Sequence, residues 1–228
     1  MLEFDRHLPE NVQDGAPVIV LLHGRGSHRA DLMRLQPYLP QEAIVVAPEA
    51  PFPAAPWGYG PGSAWYRFLG WNRPEPESFE ESQRALDAFL RELHDHIPVD
   101  PGPLVLGGFS QGGTMSLAYA LRNPRRVDMV LNFSGFLADH PSVRATPATT
   151  SGTLFFWGHG TGDTSIPFEL ALEGRAALTA AGAELEARDY PIGHWIDPAE
   201  LEDAVAWIRR GVAALRPHPA REPGSRPR

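Results

Sequence analysis

The chain has 228 residues, 43% hydrophobic and 21% charged, with 20 basic residues against 28 acidic and a formal net charge of −8. That length suits one α/β domain with a substantial core, and the acidic balance argues against a general nucleic-acid or anionic-membrane binder. The absence of cysteine excludes disulfides, thiolate catalysis and Cys-bound zinc.

Residues Met1 to Arg6 lack a basic stretch followed by an apolar one, so no signal peptide is read there. No apolar run nears the roughly 20 residues needed to span a bilayer, and a cytoplasmic location without membrane insertion is the expectation. Pro17 to His23 contains a continuous apolar run, Val18-Ile-Val-Leu-Leu22, which predicts a buried central strand. Ala43 to Ala47 repeats the pattern. Residues 48–76 form one long irregular stretch, too long for a mere connector, and are read as a functional-loop insertion.

Ser78 to His96 predicts a helix: it opens on Ser78 with Glu81 three residues on, a capping-box pattern, and spaces Phe79, Leu86, Phe89, Leu90 and Leu93 helically. Leu104 to Phe109 is a strand, Gln111 to Arg122 a helix, and Val127 to Phe133 and Thr153 to Trp157 two further strands. Ile166 to Ala181 predicts a helix with Gly182 at its end. Ala183 to Tyr190 alternates like a more exposed strand, and Asp197 with Pro198 opens a last helix reaching Leu215. The alternation of strand and helix predicts an α/β fold, a mostly parallel sheet with helices on both faces. Residues 1–215 are read as a single domain. The Arg- and Pro-rich residues 216–228, with Glu222 as their one acid, are read as a disordered tail.

Gly108-Phe-Ser-Gln-Gly112 is a G-x-S-x-G sequence lying between a predicted strand and a predicted helix. A sharp turn there forces Ser110 into a strained backbone and requires small neighbours, which Gly107, Gly108, Gly112 and Gly113 supply. A glycine-rich turn without chemistry is the alternative. A serine hydroxyl needs a base, and the base an orienting acid. In α/β hydrolases these follow in the order Ser, acid, His. Of His140, His159, His194 and His218, only His194 falls in the loop between the last strand and last helix. Asp163, in the Gly-rich loop after the strand ending at Trp157, is the acid; Asp139 and Asp189 are its rivals. The N–H groups of Gln111 and Arg25, the latter between Gly24 and Gly26, are the expected oxyanion donors. His23 is read as a structural hydrogen-bonding residue.

Taken together, Leu22-His-Gly-Arg-Gly26, Gly108 to Gly113, Ser134-Gly-Phe136, His159 to Asp163 with Ile166-Pro167, and Gly193-His194 resemble the carboxylesterase/phospholipase family of α/β hydrolases. That family includes acyl-protein thioesterases and small bacterial esterases. The resemblance spans roughly Val18 to Arg209 and implies the α/β-hydrolase fold with an eight-strand-type core, no cofactor, and hydrolysis of carboxylic esters or thioesters. The bulk of the aromatic segment Pro51 to Trp71 departs from the thioesterase branch.

The expected function is a serine carboxylesterase acting on short- to medium-chain esters through an acyl-enzyme. An acyl-protein or other thioesterase or lysophospholipase is the alternative, and a non-catalytic binding module with this fold a remoter one. Trp65, from the aromatic segment, and Phe136 are the candidate pocket walls. No metal site is expected, since His94 and His96 stand two apart on a helix and cannot share a face. Arg25 and Arg29 are read as surface arginines, with an acidic leaving group as the alternative partner. The expected partner is a small-molecule ester, and a homodimer is left open.

Overall fold

Residues 2–215 are described by a computed structural model. Among these residues nine strands run in chain order as β1 Phe4–His7, β2 Val18–Leu22, β3 Ile44–Pro48, β4 Phe52–Pro53, β5 Ser63–Ala64, β6 Leu104–Phe109, β7 Met129–Phe133, β8 Leu154–Gly160 and β9 Glu184–Tyr190. The helices are α1 Arg29–Met33, α2 Pro76–Glu92, α3 Gln111–Arg122, α4 Pro147–Thr150, α5 Phe168–Ala180 and α6 Pro198–Leu215. Seven strands make the main sheet, ordered β1-β3-β2-β6-β7-β8-β9, and β4 pairs with β5 in a separate hairpin. Every pairing in the main sheet is parallel except β1 with β3.

The alternation of side chains along each central strand divides the core in two. Val18, Val20 and Leu22 of β2 join Phe79, Leu86 and Phe89 of α2, Met115 and Leu117 of α3 and Leu170 of α5. Ile19 and Leu21 turn the other way, toward Leu32 of α1 and Leu201, Val205, Ile208 and Val212 of α6. Each such buried Leu, Ile or Phe contributes about 1.5–3 kcal/mol by leaving water. A strand covered on both faces needs an unbroken apolar run, and β2 and β3 are buried at every position. β9, at the sheet edge, carries Glu186 bonded to Arg188 and Arg210 and is largely exposed.

Three expectations need correction. The main sheet has seven strands among the described residues, not the eight implied by family resemblance. Its first strand, β1, was not read from sequence, because Phe4-Asp-Arg-His is too polar and too short to register as a strand signal. Helix α2 begins at Pro76 with Glu75 as its cap, not at Ser78: the Glu75 carboxylate accepts from the Ser78 N–H at 3.1 Å and its hydroxyl at 2.6 Å. Pro76 presets the helical φ at the first position, so the helix starts upstream of the serine pattern.

The irregular stretch 48–76 holds the β4–β5 hairpin and a 3-10 turn at Ala55–Trp57. Asp197 caps α6 as expected, accepting from the Ala199 N–H at 2.8 Å. Gly182, at φ +73°, follows α5 in the left-handed conformation. The expected tail, residues 216–228, lies outside the described residues.

Candidate active site

At the junction of β6 and α3, Ser110 takes φ 56° and ψ −115°, a conformation that non-glycine residues rarely adopt. Its N–H donates to the Phe133 carbonyl of the neighbouring strand at 2.8 Å. The turn leaves no room beside it. A Cβ on Gly112 would overlap the Leu22 carbonyl, and one on Gly108 would press on both Leu22 and Gly112 backbone. Packing this tight between strand and helix is what the glycines permit and what holds the serine in its strained geometry.

His194, in the loop between β9 and α6, brings its Nε2 to 2.9 Å from Ser110 Oγ. Its Nδ1 lies 2.6 Å from Asp163 Oδ2. Asp163 follows β8, and its Oδ1 accepts the N–H groups of Ser165 and Ile166, both at 2.8 Å. Burial pushes the Asp163 carboxyl up, but the bond from His194 and the two backbone donors outweigh it and hold the group below the ordinary carboxylate range. Ionised Asp163 selects the tautomer in which Nδ1–H donates to it, leaving Nε2 to accept the serine hydroxyl. Ser110 and Asp163 are buried, while the His194 side chain keeps 20% of its surface open to solvent. The Phe109 ring packs on the imidazole at 4.7 Å between centroids.

Beneath this line lie two further titratable groups. His159 is fully buried, donates from Nε2 to the Ile166 carbonyl at 2.9 Å, and is held neutral by burial, which lowers its pKa. Glu200, on the first turn of α6, is also fully buried, with Oε1 against the Cα face of Gly158. Burial drives its pKa up to about 8, and the charge of Asp197 adds to the rise.

The loop after β2 approaches the serine turn through Gly24, where a Cβ would stand 3.1 Å from the Phe109 ring. Arg25 comes next. Gln111 is the first residue of α3, where backbone N–H groups have no intrahelical acceptor. Its side chain is a clamp: Oε1 accepts from the Trp65 N–H at 3.1 Å and Nε2 donates to the Tyr66 carbonyl at 2.8 Å. His23 is structural in its contacts, accepting the Ala50 N–H at Nε2, 3.0 Å, and donating from Nδ1 to the Gly24 carbonyl at 2.8 Å. Trp65 and Phe136, expected at the pocket wall, are fully covered at 0% and 1% exposure. Trp65 packs against His23, and the Phe136 ring lies 5.8 Å from that of Phe68. Arg29 is bound to Glu3 and Asp5.

Nothing in the sequence gives a separate role to Phe109 or Glu200, and Tyr59 and Phe68 belong to the aromatic cluster from which a pocket wall was expected. The aromatic stretch was visible as a cluster, but no periodicity tells which rings face a cleft and which face the core.

The family model described as Phospholipase/Carboxylesterase matches residues 9–211. The chain is similar to acyl-protein thioesterase 1 of Eremothecium gossypii, 30% identical over 218 residues that cover 88% of this chain and 90% of that one. Among solved structures it is similar to esterase PE8, with TM-score 0.76 and 26% identity over 92% of this chain and 98% of that one. The Bacillus cereus carboxylesterase shares its fold at TM-score 0.79 and 20% identity, covering 92% of this chain and 95% of that one.

Proposed function

Since the chain belongs to the phospholipase/carboxylesterase family, we propose that it is a serine carboxylesterase, with Ser110 as nucleophile, His194 as base and Asp163 as the orienting acid. The observation that carries this reading is the unbroken hydrogen-bonded line from Ser110 Oγ through His194 to Asp163, at 2.9 and 2.6 Å. His194 takes the hydroxyl proton as Ser110 attacks the ester carbonyl. The N–H groups of Arg25 and Gln111 receive the developing oxyanion, each donor being worth about 2.7–4 kcal/mol in a site of this kind. His194 then protonates the leaving alcohol, and water repeats the sequence on the acyl-enzyme. Asp163 holds the imidazole tautomer and stabilises the imidazolium.

The substrates in this reading are short- to medium-chain carboxylic esters. A second reading, thioester hydrolysis, is favoured by the thioesterase relative that matches along most of both chains. The same attack and the same oxyanion serve both, because only the leaving group differs. No described helix is long and apolar enough to cross a membrane.

Hydrolysis of p-nitrophenyl acetate, butyrate, octanoate and palmitate, wild type beside Ser110→Ala, tests the proposal. Turnover lost with the serine, and falling toward palmitate, supports it. Turnover that survives Ser110→Ala rejects it. Activity confined to acyl thioesters transfers the reading to the second branch.

A further inference from the structure

The arginine after Gly24 is unlike Arg29, which opens α1. Arg29 is neutralised by Glu3 at 2.8 Å and Asp5 at 3.0 Å. Arg25 is exposed, and among the described residues its contacts are aromatic, not acidic. Its guanidinium carbon stands 4.6 Å above the Tyr59 ring and 6.0 Å from that of Phe68. Those rings are tied together, since the Tyr59 hydroxyl accepts the Phe68 N–H at 2.8 Å. The Trp57 ring packs edge-on with Tyr59 at 6.0 Å between centroids. An arginine laid on an aromatic face is held in position while its edge N–H groups stay free to bind two oxygens at once.

The backbone that carries this side chain runs beside the serine turn. A Cβ on Gly24, the preceding residue, would stand 3.1 Å from the ring of Phe109, which precedes Ser110, and the Phe68 ring, under the guanidinium, lies 5.8 Å from that of Phe136.

We propose that the Arg25 side chain is a binding site for an anionic group carried by the substrate, so that the preferred esters bear a carboxylate or a phosphate close to the scissile carbonyl. The inference rests on the assignment of Ser110 as nucleophile and names the substrate class of that same site. A long neutral acyl chain would meet a charge at this wall; a short chain ending in an oxyanion meets a preformed partner. Because the side chain is already stacked, binding costs little further rotamer entropy.

The test compares matched pairs by pH-stat: monoethyl succinate against ethyl butyrate for the carboxylate, and 1-butyrylglycerol 3-phosphate against 1-butyrylglycerol for the phosphate. Wild type, Arg25→Gln and Arg25→Lys are measured, and the readout is the anionic-to-neutral ratio of kcat/KM within each protein. The ratio is expected to fall about tenfold or more in Arg25→Gln, chiefly through KM, and to be partly restored in Arg25→Lys, which keeps the charge and loses the fork. Raising salt from about 0.05 to 0.5 M should lower the ratio in wild type but not in Arg25→Gln. A fall confined to one pair identifies carboxylate or phosphate as the group recognised. Calorimetric titration of Ser110→Ala with monoethyl succinate and 1-butyrylglycerol 3-phosphate, with and without Arg25→Gln, reads the same contact without turnover. Equal ratios in wild type and Arg25→Gln, with equal heats, would overturn the inference while leaving the esterase reading intact. Turnover that survives Ser110→Ala would remove both.

Discussion

The indole N–H of Trp65 donates to the backbone carbonyl of His23 at 2.9 Å, joining the aromatic loop to the loop that carries Arg25. The Trp65 amide is at the same time held by the Gln111 side chain. One residue thus ties together the two segments that bear the proposed oxyanion donors. Trp65→Phe keeps a ring and removes the donor, leaving a buried carbonyl unpaired at a cost of about 1–3 kcal/mol. We expect a lower melting temperature and a kcat reduced about tenfold with KM changed less, because the loss falls on the transition state. Steady-state kinetics on p-nitrophenyl butyrate beside thermal melts would show it; an unchanged kcat would mean that the tie does not position the donors.

The strained φ of Ser110 predicts a stability difference between two substitutions at this position. Ser110→Gly relaxes the backbone and Ser110→Ala does not. Strain of this kind costs on the order of 1–3 kcal/mol, partly offset by the greater unfolded-state freedom of glycine. Chemical denaturation should find the glycine variant the more stable of the two. Equal midpoints would place the strain elsewhere.

Asp163→Asn preserves the shape of the acid and removes its charge. By analogy with serine hydrolases in which the orienting acid is neutralised, kcat should drop about 10⁴-fold. The Asp163 carboxyl is held below its ordinary pKa, so its stabilising effect is complete above the unfolded-state value and is lost as pH falls through the folded one. Melting curves taken from about pH 6 down to pH 2 should therefore show a shallower acid limb in the variant than in wild type.

Glu200 gives the opposite sign. With its folded pKa raised to about 8, the native state keeps a proton that the unfolded chain releases near 4.3. Stability from this group is complete below the unfolded value and declines as pH rises toward the folded one, by at most about 1.4 kcal/mol per pH unit. In Glu200→Gln that decline should vanish, making the variant relatively more stable at pH 9 than at pH 5. Parallel melting profiles for the two proteins across that range would reject the assignment.

Much of this site was legible in the sequence because its chemistry is written locally. Gly108, Ser110 and Gly112 are contiguous, and a turn so tight admits few other residues. His194 and Asp163 followed from chain order and from their positions just past strands. The boundaries of α3 and α6 were equally local, set by the Ser110 turn and by the Asp197-Pro198 cap. What escaped were properties of distance across the fold. β1 is a strand only because β3 offers it a free edge. Trp65 and Tyr59 look alike in the sequence, yet one is sealed in the core and the other forms a platform for Arg25. The start of α2 was misplaced because Glu75, upstream of the serine, supplies the cap.

The strands from β6 to β9 lie side by side in the order in which they are made. A ribosome therefore delivers the alcohol of Ser110 first, the carboxylate of Asp163 next and the imidazole of His194 last. The strand preceding that imidazole can dock only on a β8 already in place. Folding that follows synthesis from the N-terminus thus leaves the serine without its proposed base until β9 and the loop beyond it have emerged. On this reading the nascent chain is chemically silent, and a product broken off before β9 has most of the sheet and no reactivity.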